Sequence, residues 1–180
     1  MERLIEQMLQ SLGEDPRRPG LEKTPARVAQ SLKELTAGYD MDAKAILSSA
    51  VFESNSRGIV ACRDIHFVSM CEHHLLPFFG FATIAYRPGK KLVGISKLVR
   101  ILNVYARRLQ VQERMGQQVL DAMDEVLSPE GILVSIRARH LCMVARGVGQ
   151  DQAVMETLHM TGEFEDKPGL AQSFLARTPG

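Results

Sequence analysis

Residues 59–86 read IVACRDIHFVSMCEHHLLPFFGFATIAY. Two apolar runs flank a polar centre. Residues 59–69 are rich in β-branched and aromatic side chains with partial alternation, and residues 78–86 repeat that character before Pro88-Gly89 marks a turn. The pattern predicts two strands joined by a loop over 70–77. That loop holds Cys71-Glu72-His73-His74, a cluster of side chains that bind metals and move protons.

Working toward the N-terminus, the periodicity changes from strand to helix. Leu4, Ile5, Met8, Leu9 and Leu12 have helical spacing, and Gly13 with Glu14-Asp15-Pro16 ends that helix. Thr24-Pro25 reads as an N-cap followed by proline in the first turn, opening a helix through Val28, Leu32 and Leu35 that stops near Gly38. Residues 39–57 are mixed, a short helix and a loop. Toward the C-terminus, Ser96 reads as the N-cap of a helix through Leu98, Ile101, Leu102 and Tyr105. A second helix carries Val111, Met115, Val119, Met123 and Val126 as its apolar stripe. After the turn Ser128-Pro129-Glu130-Gly131, residues 132–138 and 153–164 read as two closing strands.

The order is two leading helices, then β-β-α-α-β-β. Blocks of this kind predict an antiparallel α+β fold, a small sheet with one helical layer, rather than a doubly wound sheet. Residues 1–57 form an N-terminal helical region and 58–180 the remainder of a single structural unit. A small sheet leaves unpaired edges, which predicts a homo-oligomer.

Cys71 and His74 have the C-x-x-H spacing with which one turn presents a thiolate and an imidazole to one ion. Cys142, in His140-Leu141-Cys142, is a candidate third ligand. Three protein ligands leave a tetrahedral zinc with one open position, the pattern of a catalytic site. His73 and His140, beside those ligands, are candidates for proton transfer. The alternative is that the isolated motif is incidental and Cys142 a small buried hydrophobe. Ser96, Lys97 and Arg100 open a predicted helix, where N–H groups and two cations suit an anion. By pattern alone, an ordinary capped helix with exposed basic residues is the expected explanation. Arg146 follows Cys142 by one helical turn. Glu113, beside Gln112, offers a carboxylate to paired N–H groups of a planar amidine-like ligand, or is simply an exposed residue.

The formal net charge of +1 supplies no basic field, which argues against a zinc-stabilised nucleic-acid module. Three scattered cysteines argue against a disulfide framework. No apolar run reaches membrane-spanning length, and MERLIEQMLQ lacks a signal-peptide core. These features predict a soluble cytoplasmic protein with no nucleic-acid or membrane partner.

SMCEHHLLPFFG, GISKLVRILNVYARRLQVQER and HLCMVARGV resemble the GTP cyclohydrolase I family in wording and spacing, as does the earlier GEDPRRPGLEKTPARVAQSLKELTAGY. The resemblance covers nearly the whole chain. It implies the tunnelling fold, in which subunit sheets pool into a barrel with helices outside, making 58–180 the catalytic region. It also implies a toroidal homodecamer with interfacial active sites, and conversion of GTP and water to 7,8-dihydroneopterin triphosphate and formate. By the same resemblance Cys71, His74 and Cys142 are zinc ligands, and His73 and His140 are catalytic, with Ser96 assisting later proton transfers. Glu113 recognises the guanine edge, with Gln112 beside it. Ser96, Lys97, Arg100 and Arg146 surround ribose and triphosphate, and Arg27 reaches the triphosphate from a neighbouring subunit.

Two stretches depart from the family's wording. Residues 149–160, GQDQAVMETLHM, replace a Ser/Thr-rich strand, keeping only the Thr157 hydroxyl, and Arg137 and Arg139 flank Ala138 where an acidic residue is common. Neutral repacking is the expected explanation. A non-catalytic paralogue that binds a nucleotide or pterin is the alternative.

Overall fold

Alternation in the two predicted strands becomes the two faces of a sheet. The computed structural model describes residues 1–175. Strand β2 (Val60–Cys71) pairs antiparallel with β3 (Pro77–Arg87), and β3 pairs antiparallel with β6 (Gly131–His140). Strand β7 (Met155–Gly162) pairs with β6, and the two-residue β5 (Leu109–Gln110) lies parallel to β2, giving the order β5-β2-β3-β6-β7. Two further short strands, β1 (Val51–Glu53) and β4 (Lys91–Val93), pair with each other apart from the main sheet. Three residues are too few to show a period, so these lie where the sequence reads as loop and turn.

One face carries Ile65, Phe67, Phe78, Ala82, Ile84, Ile132, Val134, Ile136 and Ala138, all buried. Each strand contributes every second residue, as the pleat requires. Helices α4 (Ile95–Ala106) and α5 (Gln112–Leu127) cover this face with Leu98, Ile101, Leu102, Met115, Val119 and Met123. The observed class is therefore α+β, with the two long helices on one face of a sheet that is antiparallel except for β5. On the other face, Ala85 and Leu133 pack with Phe164 and Ala171 of two short terminal helices, α7 (Glu163–Asp166) and α8 (Pro168–Leu175). Beyond their reach Phe79, Phe81 and Leu158 stay exposed. The leading helices α1 (Glu2–Ser11) and α2 (Thr24–Leu35) pack on each other through Ile5, Leu9 and Ala29, and a 3₁₀ turn (Ala37–Asp40) and α3 (Ala43–Ser48) follow.

Several boundaries differ from the sequence reading. Helix α4 starts at Ile95, with Gly94 at the N-cap and its carbonyl accepting from Lys97 N–H at 2.8 Å. Ser96 is thus inside the first turn and does not cap it. Thr24 is likewise the first helical residue; its hydroxyl turns back to the Gly20 carbonyl, 3.4 Å away, and Lys23 holds the N-cap position. The last strand ends at Gly162, not 164. Gly162 has φ +55, and a Cβ there would lie 2.2 Å from the Glu130 carbonyl oxygen, so the chain reverses sharply into α7 at a position only glycine fits. That strand also retains a second hydroxyl, Thr161.

The unusual His159 has a partner in α5. Its ring lies over Gly116, where a Cβ would come 2.4 Å from His159 Cδ2. Its Nδ1 is 3.2 Å from Gln117 Oε1. A mid-helix glycine costs about 1 kcal/mol relative to alanine, so this one is explained by the imidazole it admits. Gly116→Ala is expected to lower the thermal unfolding midpoint despite its better helix propensity. Combined with His159→Ala, the same change is expected to raise it relative to His159→Ala alone. A stabilising Gly116→Ala in the otherwise unchanged chain would refute the packing argument.

Candidate functional site

The C-x-x-H turn forms where β2 leaves the sheet. Cys71 is the last strand residue, so the connecting loop is shorter than 70–77 and spans only 72–76. The Cys71 carbonyl accepts from the N–H groups of His74 and Leu75 at 3.4 and 2.9 Å, and Cys71 N–H donates to the Leu76 carbonyl at 2.9 Å. Leu75 takes a left-handed conformation, φ +53, to close the turn. This tight reversal places Cys71 Sγ 3.7 Å from His74 Nδ1.

Strand β6 delivers the other half. Because β2, β3 and β6 are neighbours, the end of β6 lies beside the β2–β3 turn. His140 is its last residue, and the short helix α6 (Leu141–Val144) follows at once, carrying Cys142. The donor atoms of Cys71, His74 and Cys142 all lie within 4.8 Å of one another. Two ligands on a tetrahedral zinc sit about 3.5–3.8 Å apart, given bonds of about 2.0–2.3 Å. The cluster therefore fits such an ion with small adjustment, and its two thiols and one imidazole suit zinc. Burial pushes the Cys142 thiol up, as does the neighbouring Cys71, while Arg146 opposes the shift. A cation on the cluster would reverse that balance, since binding favours the thiolate. His73 is exposed at the rim, with Nδ1 4.0 Å from Cys71 Sγ.

His140 is held on two sides. Phe78, its register partner across β3 and β6, stacks on the imidazole with centroids 4.5 Å apart and planes inclined by 3°. His140 Nε2 lies 2.9 Å from Gln112 Oε1. Burial pushes the His140 pKa down, and the nearby Glu113 carboxylate partly opposes this.

Gln112 and Glu113 lie in the first turn of α5, and they diverge. Gln112 is 1% exposed, its amide turned into the protein, while Glu113 is exposed. The same turn is fastened to the metal loop. Arg114 forms an ion pair with Glu72, donates from Nε to Gln110 Oε1 at 3.1 Å and reaches the Leu109 carbonyl at 3.3 Å. Glu72 N–H also donates to the Gln110 carbonyl at 3.1 Å. Hydrogen bonding to Arg114 holds the Glu72 carboxyl below its ordinary range.

Ser96, Lys97 and Arg100 lie on the first turns of α4, and Arg27 is exposed on α2. Among the described residues, no hydrogen bond or ion pair joins any of them to Cys71, His74 or Cys142. One chain thus brings together the metal donors, His73, His140 and Gln112, with Arg146 near Cys142. It leaves the four candidate phosphate-side residues without a link to that centre.

The sequence alone assigned no separate role to Phe78, Glu72 or Arg114. Arg114 directly follows Glu113 in the quoted motif, so adjacency was an available signal. Phe78 needed the register of β3 against β6.

The departures from the family's wording are matched within the chain. Arg137 and Glu156 are register partners, with Nε 2.6 Å from Oε1, an ion pair without hydrogen-bond alignment. Arg139 donates to the Asp151 carbonyl. The Thr157 hydroxyl lies 3.3 Å from Gln112 Nε2.

Comparison with known proteins follows the same lines. The sequence model of the family described as GTP cyclohydrolase I matches residues 1–178. A protein named GTP cyclohydrolase 1 from Leptospira biflexa is 49% identical over 175 residues, covering 97% of this chain and 96% of its own length. One of that name from Alkalilimnicola ehrlichii is 46% identical over 181 residues, covering 99% and 98%. One from Chlorobium phaeovibrioides is 51% identical over 168 residues, covering 93% and 75%. A solved structure of the archaeosine synthase QueF-Like in the apo form has a TM-score of 0.48 at 15% identity, covering 60% of this chain and 97% of that one, too distant to bear on the fold. A family match over residues 1–178, with relatives 46–49% identical over 97–99% of the chain, shows that this protein belongs to the GTP cyclohydrolase I family.

Proposed function

We infer that this protein converts GTP and water to 7,8-dihydroneopterin triphosphate and formate. Full-length membership of the GTP cyclohydrolase I family is the observation that carries this reading. The convergence of Cys71, His74 and Cys142 supports zinc as the resident metal. A zinc ion held there would supply a Lewis acid and lower the pKa of a bound water.

The chain's own residues account for the rest. His140, fixed by Phe78 and Gln112, is placed to protonate the five-membered-ring nitrogen of the purine as that ring opens. His73, exposed at the rim, and Ser96 serve the later proton transfers of ribose opening and reclosure. The exposed Glu113 carboxylate accepts paired N–H bonds from the guanine edge. The Gln112 side chain is withdrawn from that surface, so the carboxylate acts alone there. Lys97, Arg100, Arg146 and Arg27 bind ribose and triphosphate, and their binding energy holds the reacting carbon in place.

The family resemblance, which assigns Arg27 to the triphosphate of a neighbouring subunit, supports a site assembled between subunits. So does the sheet, whose outer strand β7 is an eight-residue edge. An edge of that length invites pairing with another chain. The exposed Phe79, Phe81 and Leu158 add an apolar reason for association. We therefore propose a homo-oligomer with pooled sheets, a decamer by family resemblance. Among the described residues no helix is long and apolar enough to cross a membrane, which accords with the proposed cytoplasmic location.

Zinc-loaded protein is expected to release formate and the neopterin product together. Cys142→Ala is expected to lose both, with bound zinc falling well below the unmodified protein's content by metal analysis. A Cys142→Ala protein with full zinc and full turnover would remove the third ligand from this scheme. Glu113→Ala is expected to lower kcat/KM for GTP by at least ~100-fold, because a site built to hydrogen-bond its ligand loses heavily when one side is unpaired. Steady-state kinetics with little change in kcat/KM would exclude Glu113 as the guanine contact.

A further inference from the structure

We propose that Gln112 is a positioning residue that fixes His140 as the Nε2–H tautomer, leaving Nδ1 as the atom that takes the proton shed by the attacking water and passes it to the purine nitrogen as the ring opens. The inference rests on the reading of His140 as the proton-transferring group.

The argument begins with the amide. Its nitrogen lies 3.1 Å from the Ile136 carbonyl, 3.2 Å from the Met155 carbonyl and 3.3 Å from the Thr157 hydroxyl. Two of those partners are backbone carbonyls, which only accept. The end of the amide facing them must therefore be NH₂. Turning the amide over would set its oxygen against two carbonyl oxygens in a site that is 1% exposed, three acceptors with no proton between them. The orientation is thus fixed by β6 and β7.

The other end of the amide is then an oxygen, 2.9 Å from His140 Nε2. An amide oxygen cannot donate, so Nε2 must carry the proton. In a neutral imidazole the second nitrogen is then bare. Phe78, stacked on the ring at 4.5 Å, removes the remaining freedom to rotate. Among the described residues no hydrogen bond engages Nδ1. The proton-accepting lone pair and the ring plane are both set before substrate arrives, which is the condition for efficient transfer.

This gives the closing strand β7 a task. It supplies the Met155 carbonyl and the Thr157 hydroxyl, so two of the three groups that orient Gln112 come from the stretch that departs most from the family's wording. A backbone carbonyl is insensitive to side-chain replacement, and the one hydroxyl retained in residues 149–160 is the one within reach of the amide.

The first test needs no substitution. Solid-state ¹⁵N spectra of histidine-labelled, zinc-loaded protein, with the spectrum of His140→Asn subtracted, report the two ring nitrogens of His140. At a pH where the ring is neutral, a protonated Nε2 and a bare Nδ1 are expected. A proton on Nδ1 instead would overturn the proposal. The second test separates positioning from substrate contact. Gln112→Met, similar in length and lacking both polar atoms, is expected to cut kcat for formate release at least tenfold. KM for GTP and bound zinc should stay within about threefold. A raised KM with unchanged kcat would show that Gln112 contacts substrate, and would overturn the positioning role. Formate release surviving in His140→Asn would refute the reading of His140 itself, together with the catalytic consequence drawn here, whatever the tautomer.

Discussion

The register of three neighbouring strands is the constraint on which the site depends. Strands β2 and β6 flank β3, and both leave the sheet at the end where β3 enters it. Cys71 closes β2, Phe78 stands beside it at the start of β3, and His140 closes β6, all on the helix-covered face. A slip of one residue in any pairing would turn its side chain to the opposite face. The metal donors come from two turns about seventy residues apart in sequence. The pairing of β3 with both strands, its core face buried against α4 and α5, holds those turns in one place. Catalytic geometry is here a consequence of core packing.

The first turn of α5 is the second fixed point. It faces three ways at once. Gln112 points inward to β6, β7 and His140, Glu113 points out, and Arg114 reaches across to Glu72 in the metal loop. Consecutive helical residues diverge by about 100°, since 3.6 residues complete a turn. Three adjacent side chains can therefore serve three surfaces without competing. The exposed Arg114–Glu72 pair contributes little stability by itself. Its value is geometric, since it ties the loop holding Cys71 and His74 to the helix carrying Glu113.

Much of this was legible in the sequence, for identifiable reasons. The aromatic and β-branched content of FFGFATIAY and the helical spacing of the apolar stripe of α5 marked strand and helix directly. The C-x-x-H spacing marked Cys71 and His74 because a single turn brings them together. What stayed hidden required pairing between distant segments. Phe78 looks like any core aromatic until β6 is set beside β3. Gln112 looks like a substrate contact until its buried amide meets β6 and β7. The N-cap at Gly94 escaped notice because Ser96 has the better capping chemistry and lies only two residues on. The same lack of pairing information made residues 149–160 look aberrant. Arg137 opposite Glu156, and His159 over Gly116, are pairings that packing reveals and a linear reading does not.

The metal centre joins the two halves of the site, so its coordination tests the whole arrangement. X-ray absorption at the zinc edge of the loaded protein reads the donor set without reference to turnover. Two sulfur neighbours at about 2.3 Å, with nitrogen or oxygen neighbours at about 2.0–2.1 Å completing four-coordination, are the expected result. A shell with four sulfurs, or with one or none, would mean that the ends of β2 and β6 do not close on a common ion.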